Sequence, residues 1–131
     1  MSSERALWEG LRREMRGAWV AHKHVDAAAG VPDVSFVLPA HVELGAHGRV
    51  VLPPVCGWLE LKEREAPARP ETRFDVGLRP EQRLWFQKRG QLGENCYVLA
   101  QLGRGYHVLL RWDLALETFP REELWREPRA R

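Results

Sequence analysis

The order of helical and strand-like stretches predicts an α/β fold, a mixed β-sheet flanked by α-helices. Three observations lead there. Near the N-terminus apolar residues recur at helical spacing. Further on, short runs rich in Val, Leu, Phe and Tyr alternate with turn-forming Gly, Pro and Asp. Between two such runs, "RPEQRLWFQKRG" places Pro80 where a helix starts and Gly90 where one stops. The predicted order is α, β, a hairpin, β, α, β, β, α.

Taken in turn, Ser2 or Ser3 caps a first helix that runs to about Gly17. Leu7, Trp8, Leu11 and Met15 form its apolar stripe, and Glu4 falls at the centre of the same stripe while Glu9 points away. Val34–Leu38 reads as a strand that Pro39 ends. "HVELGAHGRVVLPPVC" carries Gly45 and Gly48 between β-prone pieces and reads as a hairpin within about residues 40–56. Trp58–Lys62 is the next strand, and "EREAPARPETRFDVG", charged and rich in proline, reads as an exposed loop. In the second helix Leu78, Gln82, Trp85 and Phe86 share one face. Cys96–Gln101 and Tyr106–Arg111 form two more strands around the turn "LGRG", and a short last helix covers about Pro120–Arg126 before a charged tail.

With 131 residues the chain suits one domain, residues 1–131, with a single core. No apolar run approaches membrane-spanning length, and "MSSERALWEGLRREM" mixes charge with apolar residues unlike a signal peptide, so a soluble, cytoplasmic protein is expected. Cys56 and Cys96 fit no metal spacing and read as free, buried thiols. His22 and His24 form an H-x-H pair without a third ligand and read as exposed or loop histidines. The net charge of +2 neither demands nor excludes nucleic acid. Arg12, Arg13 and Arg16 cluster on the first helix, and Arg79, Arg83, Lys88 and Arg89 on the second; on charge alone they read as solvated helix faces.

The informative charges lie on apolar strands, where an unpaired charge is costly. Two-residue alternation sets Glu60 and Lys62 on one face of their strand and Leu59 and Leu61 on the other. Asp33 stands at the start of the preceding long strand. If the two strands are neighbours, Asp33 and Glu60 converge, and carboxylates that close raise one another's pKa. A hard divalent cation removes the conflict, since Mg²⁺ takes oxygen ligands and keeps several waters. Lys62 would add a fixed positive charge for a phosphate oxygen or an attacking water. Glu4 could supply a further ligand or grip a metal-bound water, and Gln82 could fix the lysine or a water through its amide. Each residue alone has a plainer meaning: E-x-K is common on solvated strands, and Asp after Pro is a turn residue. Their conjunction on or beside apolar elements favours one pocket.

In this order the motifs resemble the PD-(D/E)xK nuclease superfamily, and most closely its small VRR-NUC or Holliday-junction-resolvase-like members from phages and bacteria. The helical acid Glu4, "GVPD" ending at Asp33, "ELK" at Glu60, Leu61 and Lys62, and a helix with Gln82 followed by Trp85 carry the likeness, over about residues 3–100. It implies a restriction-endonuclease-like mixed sheet flanked by helices. It also implies Mg²⁺ or Mn²⁺ on Asp33, Glu60 and the main-chain carbonyl of Leu61, with Lys62 catalytic, Glu4 assisting metal or water, and Gln82 supporting the pocket. The long Asp33-to-Glu60 spacing departs from the family pattern and suggests an inserted hairpin that contacts substrate, serves dimerisation or decorates the fold. "AHKHVDAAAG" also departs from it, and Lys23 or His24 stands where a basic or polar residue often precedes the loop.

The leading expectation is a metal-dependent deoxyribonuclease selecting branched, flap or nicked DNA by shape, with the helix arginines on phosphates. A homodimer follows from the family if it resolves junctions, since two cuts need two sites. The alternative is a catalytically silent DNA- or protein-binding module on the same fold, and a remoter one is a metal enzyme acting on something else.

Overall fold

A computed structural model describes residues 3–17, 19–24, 30–65, 68–69, 71–103 and 106–120. Helix α1 spans Ser3–Glu14 and strand β1 Val20–Lys23. Strand β2 is Val34–Leu38, β3 His41–Gly45, β4 Gly48–Leu52, β5 Val55–Arg64 and β6 Arg73–Phe74. Helix α2 covers Pro80–Gln91, followed by β7 Asn95–Leu102, β8 His107–Arg111, α3 Trp112–Ala115 and β9 Phe119–Pro120.

The main sheet has five strands in the order β1-β2-β5-β7-β8. β1, β2 and β5 pair antiparallel, β5 and β7 pair parallel, and β8 returns antiparallel to β7. The parallel pair requires a crossover, and α2 lies on it, as in any β-α-β unit. Each face of the sheet has its own core. On one, α1 contributes Leu7 and Trp8 against Val34, Phe36, Leu59 and Leu61. On the other, Phe86 of α2 packs on Cys96, Val98 and Ala100 of β7 and on Leu110 of β8. Fully burying a side chain such as Leu61 or Phe86 contributes about 1.5–3 kcal/mol. Two-residue alternation along β5 and β7 therefore decides which helix each side chain meets.

Several elements differ from the sequence reading. α1 stops at Glu14 and a turn follows, where the reading ran to about Gly17. β1 is not among the expected elements; it is an edge strand of alternating exposed and half-buried residues, and an edge needs no apolar run. β5 extends from Val55 to Arg64, beyond the expected Trp58–Lys62, because β7 pairs along it as far as Arg64. The expected exposed loop after it contains Phe74 and Val76, both buried, and Arg73–Phe74 pairs with Phe119–Pro120. A helical turn, α3, was not foreseen, while the last expected helix lies outside the described residues apart from Pro120, which pairs in β9. Of the two thiols read as buried, Cys96 is buried and Cys56 is exposed, because β5 is uncovered near its start.

β3 and β4 form a separate two-stranded hairpin, closed by a turn in which Gly48 takes a positive φ of 113°. Its residues are exposed on both faces except for half-buried Leu52. Among the described residues no helix is long and apolar enough to cross a membrane.

Candidate active site

Trp58, Glu60 and Lys62 project from β5 toward the α2 side, opposite to Leu59 and Leu61. β2 lies beside β5 with Val34 facing Leu59, and that register carried one step on sets Asp33 opposite Glu60. The Asp33 carboxylate accepts a hydrogen bond from the Leu61 N–H, with Oδ2 at 3.1 Å. In a strand a residue's N–H and C=O face the same edge, so the Leu61 carbonyl lies along the edge where Asp33 stands.

Gly30 holds the loop ahead of Asp33 in place. It adopts φ +90°, and a Cβ there would stand 2.5 Å from the main-chain oxygen of Glu81. Only glycine lets this loop press against the first turn of α2. The same helix delivers Gln82, buried at its third position. The Gln82 Oε1 accepts from the Arg79 N–H at 2.9 Å, one of the donors that a helix start leaves unpaired. With its oxygen so engaged, the amide turns Nε2 toward Glu60 and donates to Oε2 at 3.1 Å. Lys62 Nζ stands 3.9 Å from the same Oε2.

Asp33, Glu60, Lys62 and Gln82 thus meet at one place, at the junction of β2, β5 and α2. Leu61 sends its side chain into the α1 core and leaves its main chain at the site. Glu4 is different. The helical stripe predicts it on the core face, and the structure leaves it exposed in the first turn of α1. A carboxylate keeps its water and the favourable end of the helix dipole there. Its charge still reaches Glu60.

Two further neighbours adjoin Asp33, one of them His24, which the resemblance names as an alternative to Lys23. The His24 N–H donates to the Asp33 carbonyl at 2.7 Å, and His24 Nε2 pairs with Ser35 Oγ at 2.8 Å. Period-two alternation from Asp33 points to Ser35, but His24 is brought in only by the pairing of β1 with β2.

No protein-family model and no curated protein matches the chain. Among solved structures it is similar to a Holliday junction resolvase, Hjc, from the archaeal hyperthermophile Archaeoglobus fulgidus, with a TM-score of 0.50 and 16% sequence identity. The match covers 86% of this chain and 75% of that one. The fold is restriction-endonuclease-like. The likeness is one of backbone architecture, and the chemistry has to be argued from the side chains.

Within this restriction-endonuclease-like sheet the site is electrostatically unbalanced. Glu60 is 3% exposed, and its Oε1 has no hydrogen-bond partner among the described residues. Its carboxyl pKa is pushed up to about 9, first by burial, then by the charge of Asp33 and a hydrogen bond to it. Lys62 opposes this shift and Glu4 adds to it. Protonated, Glu60 can donate a hydrogen bond to Asp33; ionised, it has no proton to donate and Oε1 is orphaned, at a cost of about 1–3 kcal/mol. A cation between the carboxylates resolves both difficulties. Among the described residues no cluster of three or more His, Cys, Asp and Glu side chains forms. A cation here would therefore rest on two carboxylates, main chain and water, a donor set that fits Mg²⁺ or Mn²⁺ and is too hard and too sparse for zinc.

Proposed function

We propose that the protein is a divalent-metal-dependent deoxyribonuclease of the PD-(D/E)xK superfamily that acts on branched, flap or nicked DNA. The observation that carries this reading is the buried Glu60, with an oxygen left unpaired, facing Asp33 beside Lys62. Fold likeness to a Holliday junction resolvase adds support.

In this reading Asp33, Glu60 and the Leu61 carbonyl hold Mg²⁺ or Mn²⁺. The ion supplies a more acidic water and positive charge against the phosphate oxygens. Lys62 stands next to the ion site with its ammonium half-buried, placed to hold a phosphate oxygen or orient the attacking water. Gln82 fixes the Glu60 carboxylate by tying it to the start of α2. Glu4, exposed, acts at longer range as a second acid near the water.

DNA is the substrate best matched to the surface. Arg12, Arg13 and Arg16 are exposed around a cleft of about 470 Å³ whose lining also includes one acid, Glu9, with Trp19, Val20 and Ala21. Around α2, Lys88 is exposed, whereas Arg79 pairs with Glu81 at 3.3 Å, Arg89 with Glu94 at 3.1 Å, and Arg83 donates to the Leu116 carbonyl at 2.6 Å. These cations suit phosphate contacts that position a duplex. Cutting both strands of a junction would need two copies related by symmetry.

The test is cleavage of labelled duplex, nicked, flap and four-way-junction DNA with Mg²⁺, with EDTA and with Lys62→Ala. Cutting is expected to require the metal and to fall by about 10²–10³-fold in Lys62→Ala, the effect of losing one preorganised charge-stabilising group. DNA binding without metal-dependent cutting of any of these would leave a silent binding module instead.

A further inference from the structure

We propose that the uncovered part of the sheet face beside Asp33 and Glu60 is a stacking subsite for an unpaired nucleotide, so that the preferred substrate carries single-stranded DNA next to the cut. This rests on the nuclease reading and adds a substrate feature to it.

α2 covers β7, and among the described residues no helix covers the same face over β1, β2 and the start of β5. A cleft of about 380 Å³ lies there, with His22, Ser35, Val37, Cys56, Trp58 and Asn95 among its lining. The register explains its position. His22 faces Ser35 and Ser35 faces Trp58, so these residues form one row across three strands. Asp33 and Glu60 lie two residues along, about 7 Å away. A base held on this row is within a nucleotide's reach of the metal-binding pair.

Aromatic rings lie on this row and beside it. His22 and His24 rings are 5.0 Å apart, His24 and Trp58 5.5 Å, and Trp58 and Trp85 5.1 Å. His22 is exposed, and Trp58, His24 and Trp85 are half-buried. The H-x-H pair thereby gains a role. Flat rings take any base by stacking and need no particular sequence.

Charge favours an anionic strand as the occupant. The acid at the rim, Glu94, is held by Arg89 at 3.1 Å, and Arg89 also lies 5.0 Å over the Trp85 ring. At the edge strand β1, Val20 and Ala21 line both this cleft and the arginine-lined one beside α1. A backbone leaving the aromatic row therefore runs onto Arg12, Arg13 and Arg16. Rings interleaved with cations are what single-strand binding uses.

Cys56 reports on occupancy without mutation. It is exposed in the cleft, whereas Cys96 is buried and its thiol is pushed up to about 11, so N-ethylmaleimide should modify Cys56 alone. In EDTA, oligothymidylate and a flap DNA are expected to slow this modification at least about fivefold while a blunt duplex does little. A 2-aminopurine at the first unpaired flap position should be quenched on binding, and less so with His22→Ala. Equal protection by duplex and single strand, or no protection by either, overturns the proposal. Protection that grows with protein concentration alone would assign the cleft to a second copy and also overturns it. Metal-dependent cutting without Cys56 protection sinks the subsite and spares the nuclease; protection without cutting does the reverse.

Discussion

The hairpin β3–β4 and the middle of β5 invert the usual pattern of burial in opposite directions. Leu44 is 86% exposed and Val51 70%, on a ribbon that no helix or third strand among the described residues covers. A few residues later Glu60, which water would hold readily, is buried. The hairpin keeps its form through cross-strand pairs alone, and a lone two-stranded ribbon is marginal in water. Glu60 sits where β2, β5 and α2 converge, and each supplies it with a neighbour. The comparison separates two kinds of exception. An exposed apolar side chain costs little and changes little, while a buried carboxylate is affordable only within a rigid frame and makes that frame sensitive to pH and ions.

The largest test removes the charge from the frame. Glu60 has its folded pKa raised from 4.5 to about 9, so its contribution to stability is intact below the unfolded value and is lost as pH rises toward the folded one. Metal-free protein should therefore lose up to about 1.4 kcal/mol per pH unit between about pH 5 and pH 8 from this group. Glu60→Gln should flatten that slope in urea titrations, and Mg²⁺ should offset it in the native chain only. A slope unchanged in Glu60→Gln would mean that burial of this carboxyl does not control stability.

Gln82→Leu keeps the bulk and removes both hydrogen bonds, leaving Oε2 of Glu60 and the Arg79 N–H without this partner. A loss of about 2 kcal/mol is expected by thermal or urea unfolding, with cleavage reduced about tenfold or more through a misplaced carboxylate. Stability retained in full would show that the amide is incidental to the frame.

Leu44→Asp, on the hairpin, should shift stability by less than about 0.5 kcal/mol. A much larger loss in unfolding, or a change of oligomeric state by sedimentation, would show that the ribbon is covered in solution and would end the contrast with β5.

Much of this was legible in the chain. Alternation alone places Glu60 and Lys62 on one face, and helical spacing gives Gln82 a buried position beside Phe86. The hairpin follows from its glycines, and the start of the second helix from Pro80; Gly90 is not its stop but a buried helical residue against Trp112, and Gly93, at φ +90°, follows the C-cap Leu92. Less was legible where long-range contact overrides local pattern. β1 has no strand signature of its own and exists because β2 offers it an edge. Glu4 follows the periodicity of its helix, yet solvent keeps it. Cys56 looks like a core residue and lies on the half of β5 that α2 leaves bare.

By itself the sequence determined that Glu60 and Lys62 share one face of their strand and that Gln82 lies on the apolar face of its helix, because side-chain direction follows from the local period of a helix or strand. Only the tertiary structure decided that Asp33 stands opposite Glu60, that Gln82 reaches them from the crossover helix, and that an aromatic row beside them stays open. Those relations depend on strand register and helix placement, which arise from contacts between residues far apart in the chain.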